Sequence, residues 1–136
     1  MELESLTIGQ VAQQTGVSTS ALRYYERVRV IPQAERRSGR RVYDREAVLR
    51  VRSLQLAQRA GLRLDEIRRL FRRIDSGQNP PDGWRELAPG KYEELDAQMR
   101  KLEARKRVLD ALMTCECPTV EECGSAAEGR GCSGEL

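Results

Sequence analysis

Apolar residues recur along most of this chain at helical rather than strand spacing. Thr7 stands as an N-cap, with Gln10 three residues on in a capping-box relation. Ile8, Val11 and Ala12 then share one face of a first short helix. Gly16 ends it, Val17 packs the turn, and Ser18 caps a second helix through STSALRYYERV, with Leu22 and Tyr25 facing inward. Pro32 stops any continuation. A Ser38-Gly39 turn and a short Val42-Tyr43 strand predict a small two-stranded wing. Asp44 caps a third helix from Arg45 to about Ala60, carrying Val48, Val51, Leu54, Leu56 and Ala57 at helical spacing. Gly61 ends that helix, and Leu64, Ile67, Leu70, Phe71 and Ile74 mark the inner face of a fourth.

The Gly- and Pro-dense segment SGQNPPDG and the later Pro89-Gly90 pair read as breaks. A long helix is predicted beyond them, from about Lys91 to Met113. Its apolar stripe is Tyr92, Leu95, Met99, Leu102, Leu109 and Leu112, widened by Ala104, Val108 and Ala111. The spacing is heptad-like, and the preceding domain is too small to cover it, which predicts a partner helix. The expected organisation is residues 1–74 as a winged helical unit with a second helical pair, 75–90 as linker, 91–113 as dimerisation helix, and 114–136 as a cysteine-rich loop and tail. The fold class is mainly α.

Charge gives the first half a chemical character. Net charge is only +3 over 136 residues, yet the stretch from Arg23 to Arg73 is rich in Arg, lacks Lys and holds few acids. Such an excess is the electrostatic footprint of nucleic-acid binding. Two short helices with a tight turn form a helix-turn-helix, whose second helix enters the major groove N-terminus first. Arg36, Arg37, Arg40 and Arg41 crowd the wing turn and are poor core material, so phosphate contact is their expected role. No stretch has the roughly 18 apolar residues of a membrane span. The start, MELESLTIGQ, has neither the basic nor the apolar part of a signal peptide, which predicts a cytoplasmic protein.

Cysteine gives the other end its chemistry. Cys115, Cys117, Cys123 and Cys132 are the only four in the chain, and there is no histidine. Clustered thiols in a reducing compartment point to metal or redox chemistry rather than structural disulfides. Thiolates select soft ions or iron–sulfur clusters. Glu116, Glu121 and Glu122 place further negative charge around the cluster. Without histidine, a nucleotide-binding loop or a paired-carboxylate pocket, an enzyme is not expected.

The segment TIGQVAQQTGVSTSALRYYERVRVIPQAERRSGRRVYDREAV resembles the MerR family of bacterial transcription regulators, above all in LRYYER and RRVY. The order of elements matches as well: winged helix-turn-helix, second helical pair, long antiparallel coiled-coil dimerisation helix, cysteine-rich loop. The resemblance implies a homodimer on promoter DNA that distorts the duplex when it senses its signal, and so serves RNA polymerase indirectly. Carried over by motif, Ser18, Thr19, Arg23 and Tyr24 lie on the recognition helix and its start, and Arg40, Arg41 and Tyr43 are wing contacts. It implies that the cysteines hold the signal. Cys115 and Cys123, which flank seven residues, resemble the two-thiolate loop of the copper-responsive branch. A cysteine near the start of the dimer helix, used by divalent-ion sensors of the family, is missing, which argues against their usual mercury, lead, cadmium or zinc geometry, although Cys117 and Cys132 could complete a three- or four-sulfur site locally. The alternative is a [2Fe–2S] cluster as in the redox-responsive branch, whose last three cysteines match Cys115, Cys117 and Cys123, while the first would fall at Leu112.

Overall fold

The computed structural model describes residues 5–128. One compact unit extends to Leu87, and a second begins at Ala88. Cys132 lies outside the described residues.

The first unit opens with α1 (Ile8–Thr15) and α2 (Thr19–Arg27). The Thr7–Gln10 capping box is present: the Thr7 N–H donates to Gln10 Oε1 at 2.8 Å, and the Gln10 N–H to Thr7 Oγ1 at 3.2 Å. Gly16 closes α1 in the left-handed region at φ 74°, its N–H on the Ala12 carbonyl. Ser18 Oγ accepts the Ala21 N–H at 3.2 Å and starts α2. Helix α2 ends in a Schellman arrangement: the Val30 N–H donates to the Tyr25 carbonyl and the Arg29 N–H to the Glu26 carbonyl, each at 3.0 Å. The left-handed position is filled by Arg29 at φ 61° where glycine is usual.

The wing is an antiparallel pair, β1 (Glu35–Arg37) and β2 (Arg40–Val42). Its turn residues Ser38 and Gly39 both have positive φ, 53° and 77°, the backbone of a tight hairpin turn that matches strand twist. Tyr43 continues the pairing by exchanging backbone hydrogen bonds with Leu6.

Helix α3 (Arg45–Arg59) is capped by Asp44, and α4 (Leu64–Asp75) packs on it. Gln55 of α3 donates to the Thr15 carbonyl at 2.7 Å, satisfying one of the carbonyls α1 leaves at its C-terminus. Val11, Leu22, Val30, Ile31, Val51, Leu54, Ile67 and Leu70 form a core almost wholly removed from water. Leu56, expected among the apolar positions of α3, is instead 61% exposed.

Two boundaries differ from expectation. Residues 75–90 are not a linker: α5 spans Pro80–Met113, and four residues, 76–79, separate it from α4. The prolines that read as a break sit in the first turn, where a helix needs no N–H donor. Pro89 lies within α5 and leaves the Arg85 carbonyl without its usual donor, yet the helix continues. Gly83 explains the early start. A Cβ there would stand 2.6 Å from Leu70 Cδ1, so glycine lets α5 lie close on α4, beside half-buried Trp84 and Leu87.

In the second unit α5 continues to Met113 and is followed by α6 (Val120–Ala127), an ordered helix where a loop was expected. Thr119 caps α6 by accepting the Glu122 N–H at 3.2 Å. Among the described residues no helix is long and apolar enough to cross a membrane.

Candidate nucleic-acid interface and metal centre

Helix α2 divides its residues cleanly. Leu22 is buried and Tyr25 half-buried, while Arg23 is exposed and Tyr24 is 43% exposed. Ser18 and Thr19 stand at the N-terminal end, whose N–H groups favour phosphate. The Arg27 guanidinium lies 5.3 Å from the Tyr24 ring centre and adds a cation to the same face. Sequence reasoning did not single out Arg27. It falls four residues after Arg23 and three after Tyr24, so helical spacing alone could have placed it there.

The wing sets arginine against arginine. Arg36 pairs with Arg41 and Arg37 with Arg40 across the two strands. Like charges directly opposite weaken a hairpin. Arg36 and Arg40 remain exposed; Arg37 approaches Glu35 at 3.9 Å. A hairpin tip that retains this repulsion is suited to an anionic surface that relieves it.

Arg41 and Tyr43 are placed differently from the other wing residues. Tyr43 is buried, with 4% exposure, and its hydroxyl donates to the Glu26 carboxylate. Burial, then the Glu26 hydrogen bond, push its pKa up to about 12. The expected contact of Tyr43 with DNA is therefore corrected: its ring fills the core and its hydroxyl is already engaged. Arg41 faces the same carboxylate at 3.7 Å with its side chain 32% exposed. Glu26, itself buried, thus joins the recognition helix to the base of the wing. It was missed in the sequence, where it follows Leu22 by one helical turn on the inward face.

The second site lies beyond α5. The Cys115 N–H caps the end of the helix on the Leu112 carbonyl at 3.2 Å, and Cys123 stands one turn into α6. The short link between the helices returns the chain, so the sulfurs of Cys115, Cys117 and Cys123 come within 4.8 Å of one another. Cys115 Sγ and Cys123 Sγ are 3.5 Å apart, and the Cys117 N–H points to Cys115 Sγ at 3.4 Å. All three are partly buried. Three partly buried soft donors fit a thiophilic ion, and with no histidine in the chain the donor set is sulfur.

Comparison with known proteins settles the family. The profile described as MerR HTH family regulatory protein matches residues 6–74, and that described as MerR, DNA binding matches residues 48–112. The chain belongs to the MerR family of transcription regulators. It is accordingly a DNA-binding regulator and not an enzyme.

Among MerR-family relatives, the mercuric resistance operon regulatory protein of Serratia marcescens is 33% identical over 138 aligned residues, covering 95% of this chain and 94% of that one. A homologue of the transcriptional activator SoxR from Chromobacterium violaceum is 32% identical over 124 residues, covering 90% and 84%. The crystal structure of the regulator PbrR691 from Ralstonia metallidurans CH34, solved in complex with lead(II), superposes with a TM-score of 0.71 at 24% identity, covering 88% of this chain and 94% of that one. At that identity it shows the shared fold.

Proposed function

We propose that this chain is a homodimeric promoter-binding activator that responds to a soft metal ion held by Cys115, Cys117 and Cys123. The observation that carries the reading is the convergence of three sulfurs within 4.8 Å at the end of α5. Thiolates around a zinc-sized ion, bonded at about 2.3 Å, stand roughly 3.8–4.0 Å apart in a three- or four-sulfur set, whereas a linear pair needs about 4.6 Å. The 3.5 Å between Cys115 and Cys123 is nearer the spacing of the three-sulfur set than that of a linear pair. The relationship to a mercuric resistance regulator favours a divalent ion in that set.

The dimer reading rests on α5. Tyr92, Leu95, Met99, Leu102, Leu109 and Leu112 are between 44% and 70% exposed in the single chain. A row of that length calls for a second helix. In the dimer, Ser18, Thr19, Arg23 and Tyr24 would read one half-site on each side, and Arg36, Arg37 and Arg40 would hold the flanking phosphates. Ion binding neutralises the thiolates beside Glu116, Glu121 and Glu122 and so biases the loop and α6 toward one arrangement. The bound duplex is then distorted so that the promoter elements realign for RNA polymerase.

A second reading is a [2Fe–2S] cluster. The relationship to a SoxR homologue and the match of three cysteine positions to that branch favour it. Transcription in vitro from a promoter bound by the protein tests the proposal. Soft divalent ion should raise transcript from wild type and not from a Cys115→Ser, Cys123→Ser chain that still binds the promoter. Equal transcript from both with ion present would overturn it.

A further inference from the structure

The apolar row of α5 has one interruption. Tyr92, Leu95, Met99, Leu102 and Leu109 follow one another by three, four, three and seven residues, and Met113 comes four after Leu109. A strict alternation of three and four would place another seam residue between Leu102 and Leu109. That position is Lys106. Its neighbours in the seam are 55% and 58% exposed in the single chain, so Lys106 lies in the strip that a partner helix would cover.

A cation in an otherwise apolar seam lowers the stability of a helix pair and in return selects its partner and register. It needs a counter-charge. Within its own helix Lys106 reaches Glu103 only at 3.9 Å, with both side chains largely exposed. The flank of the seam supplies more. Asp96, Glu103 and Asp110 recur every seven residues, each four positions after a seam residue, and all are exposed. They form an acidic row along one edge of the strip.

Between two copies of the helix running in opposite directions, like edges face each other. The acidic row of one copy then lies beside the acidic row of the other and repels it. A lysine projecting from the seam into that edge relieves the repulsion. We infer that Lys106 is the residue that selects a second copy of this chain as partner, by meeting the acidic row Asp96, Glu103, Asp110 of that copy. A related helix with an apolar residue at this position would leave the acids only Arg100 and Arg107 of their own helix; one lacking the acids would strand the lysine in an apolar strip. The inference rests on the homodimer reading above.

Sedimentation equilibrium tests it on the full-length chain. Wild type should be dimeric at micromolar concentration and weaken as salt rises. Lys106→Glu should raise the dissociation constant at least about tenfold, since like charges are then brought together. A chain carrying Asp96→Lys and Glu103→Lys should likewise dimerise poorly alone. Mixed with Lys106→Glu it should form a mixed dimer in preference to either self-pair, which separates loss of pairing from loss of folding. Lys106→Met should remain dimeric and lose the preference for wild type over the lysine-substituted chain. Unchanged self-association of Lys106→Glu, or no preference for the mixed pair, would overturn the role of Lys106 while leaving the dimer standing. A monomeric wild type would overturn both.

Discussion

The Tyr43 hydroxyl donates to the Glu26 carboxylate, tying the base of the wing to the last turn of the recognition helix. Arg41 stands 3.7 Å from the same carboxylate. Removing the acid leaves a buried hydroxyl and a partly buried guanidinium without it. Glu26→Ala should therefore destabilise the first unit by about 3 kcal/mol, and Tyr43→Phe by about 1 kcal/mol. Chemical denaturation checks both; an alanine variant within about 0.5 kcal/mol of wild type, the range of ordinary surface substitutions, would contradict the assignment.

The same pair sets an alkaline limit. Tyr43 holds its proton more tightly folded than unfolded, with a pKa of about 12 against the ordinary 10.0. A raised folded pKa contributes stability that is fully present below pH 10 and is lost as pH rises toward 12. Tyr43→Phe should abolish that part of the decline. Denaturation curves at stepped alkaline pH, compared between the two proteins, measure it. Identical slopes would show that Tyr43 is not the group responsible.

At the acid end the corresponding pair is Arg50–Asp75. Two hydrogen bonds of 2.8 and 2.7 Å from the guanidinium hold the Asp75 carboxyl below its usual value. A lowered pKa contributes stability present above the ordinary 3.8 and lost as pH falls through the folded value. Asp75→Asn should flatten the acid-side decline. Arg50→Ala should cost more, about 2 kcal/mol, because Arg50 also donates to the Val30 carbonyl at 3.2 Å and lies 4.8 Å from the Phe71 ring centre. Equal losses for the two variants would mean that those additional contacts contribute nothing.

Much of this arrangement is legible in the chain. Caps at Thr7, Ser18 and Asp44 and the glycine at 16 announce their helices because each satisfies a local backbone requirement. The four wing arginines and the clustered cysteines stand out by composition. What is not legible depends on long-range packing. SGQNPPDG reads as a linker until Gly83 is seen against Leu70, a contact that brings α5 onto α4. Tyr43 reads as a wing contact because its strand is exposed; its backbone pairing with Leu6 and its hydroxyl on Glu26 turn it inward. Leu56 fits a helical stripe but stands exposed, uncovered by any element among the described residues.

On DNA, the two arginine groups should behave differently. Arg23→Ala should weaken promoter binding by about 1–3 kcal/mol and relax preference at one base position, if Arg23 reads a base edge. Arg40→Ala should weaken specific and nonspecific DNA alike and lower the salt slope by about 1. Titrations at several salt concentrations on promoter and scrambled DNA distinguish these behaviours. Unchanged affinity for Arg23→Ala would remove α2 from the proposed interface.

Thiols must lose their protons to bind an ion, so affinity at Cys115, Cys117 and Cys123 should rise with pH, and binding should release protons. Calorimetric titration in buffers of different ionisation enthalpy counts them. Replacing any one of the three by serine should weaken binding by more than tenfold. An unchanged affinity for Cys117→Ser would reduce the site to a pair.

Elemental analysis with an absorption spectrum, on protein purified without oxygen, tests the central claim most directly. The three-thiolate site predicts a stoichiometric soft divalent ion, no iron, and loss of the ion when Cys115, Cys117 and Cys123 are replaced by serine. Iron with matching acid-labile sulfide and visible absorption bands would contradict it and establish the cluster in its place.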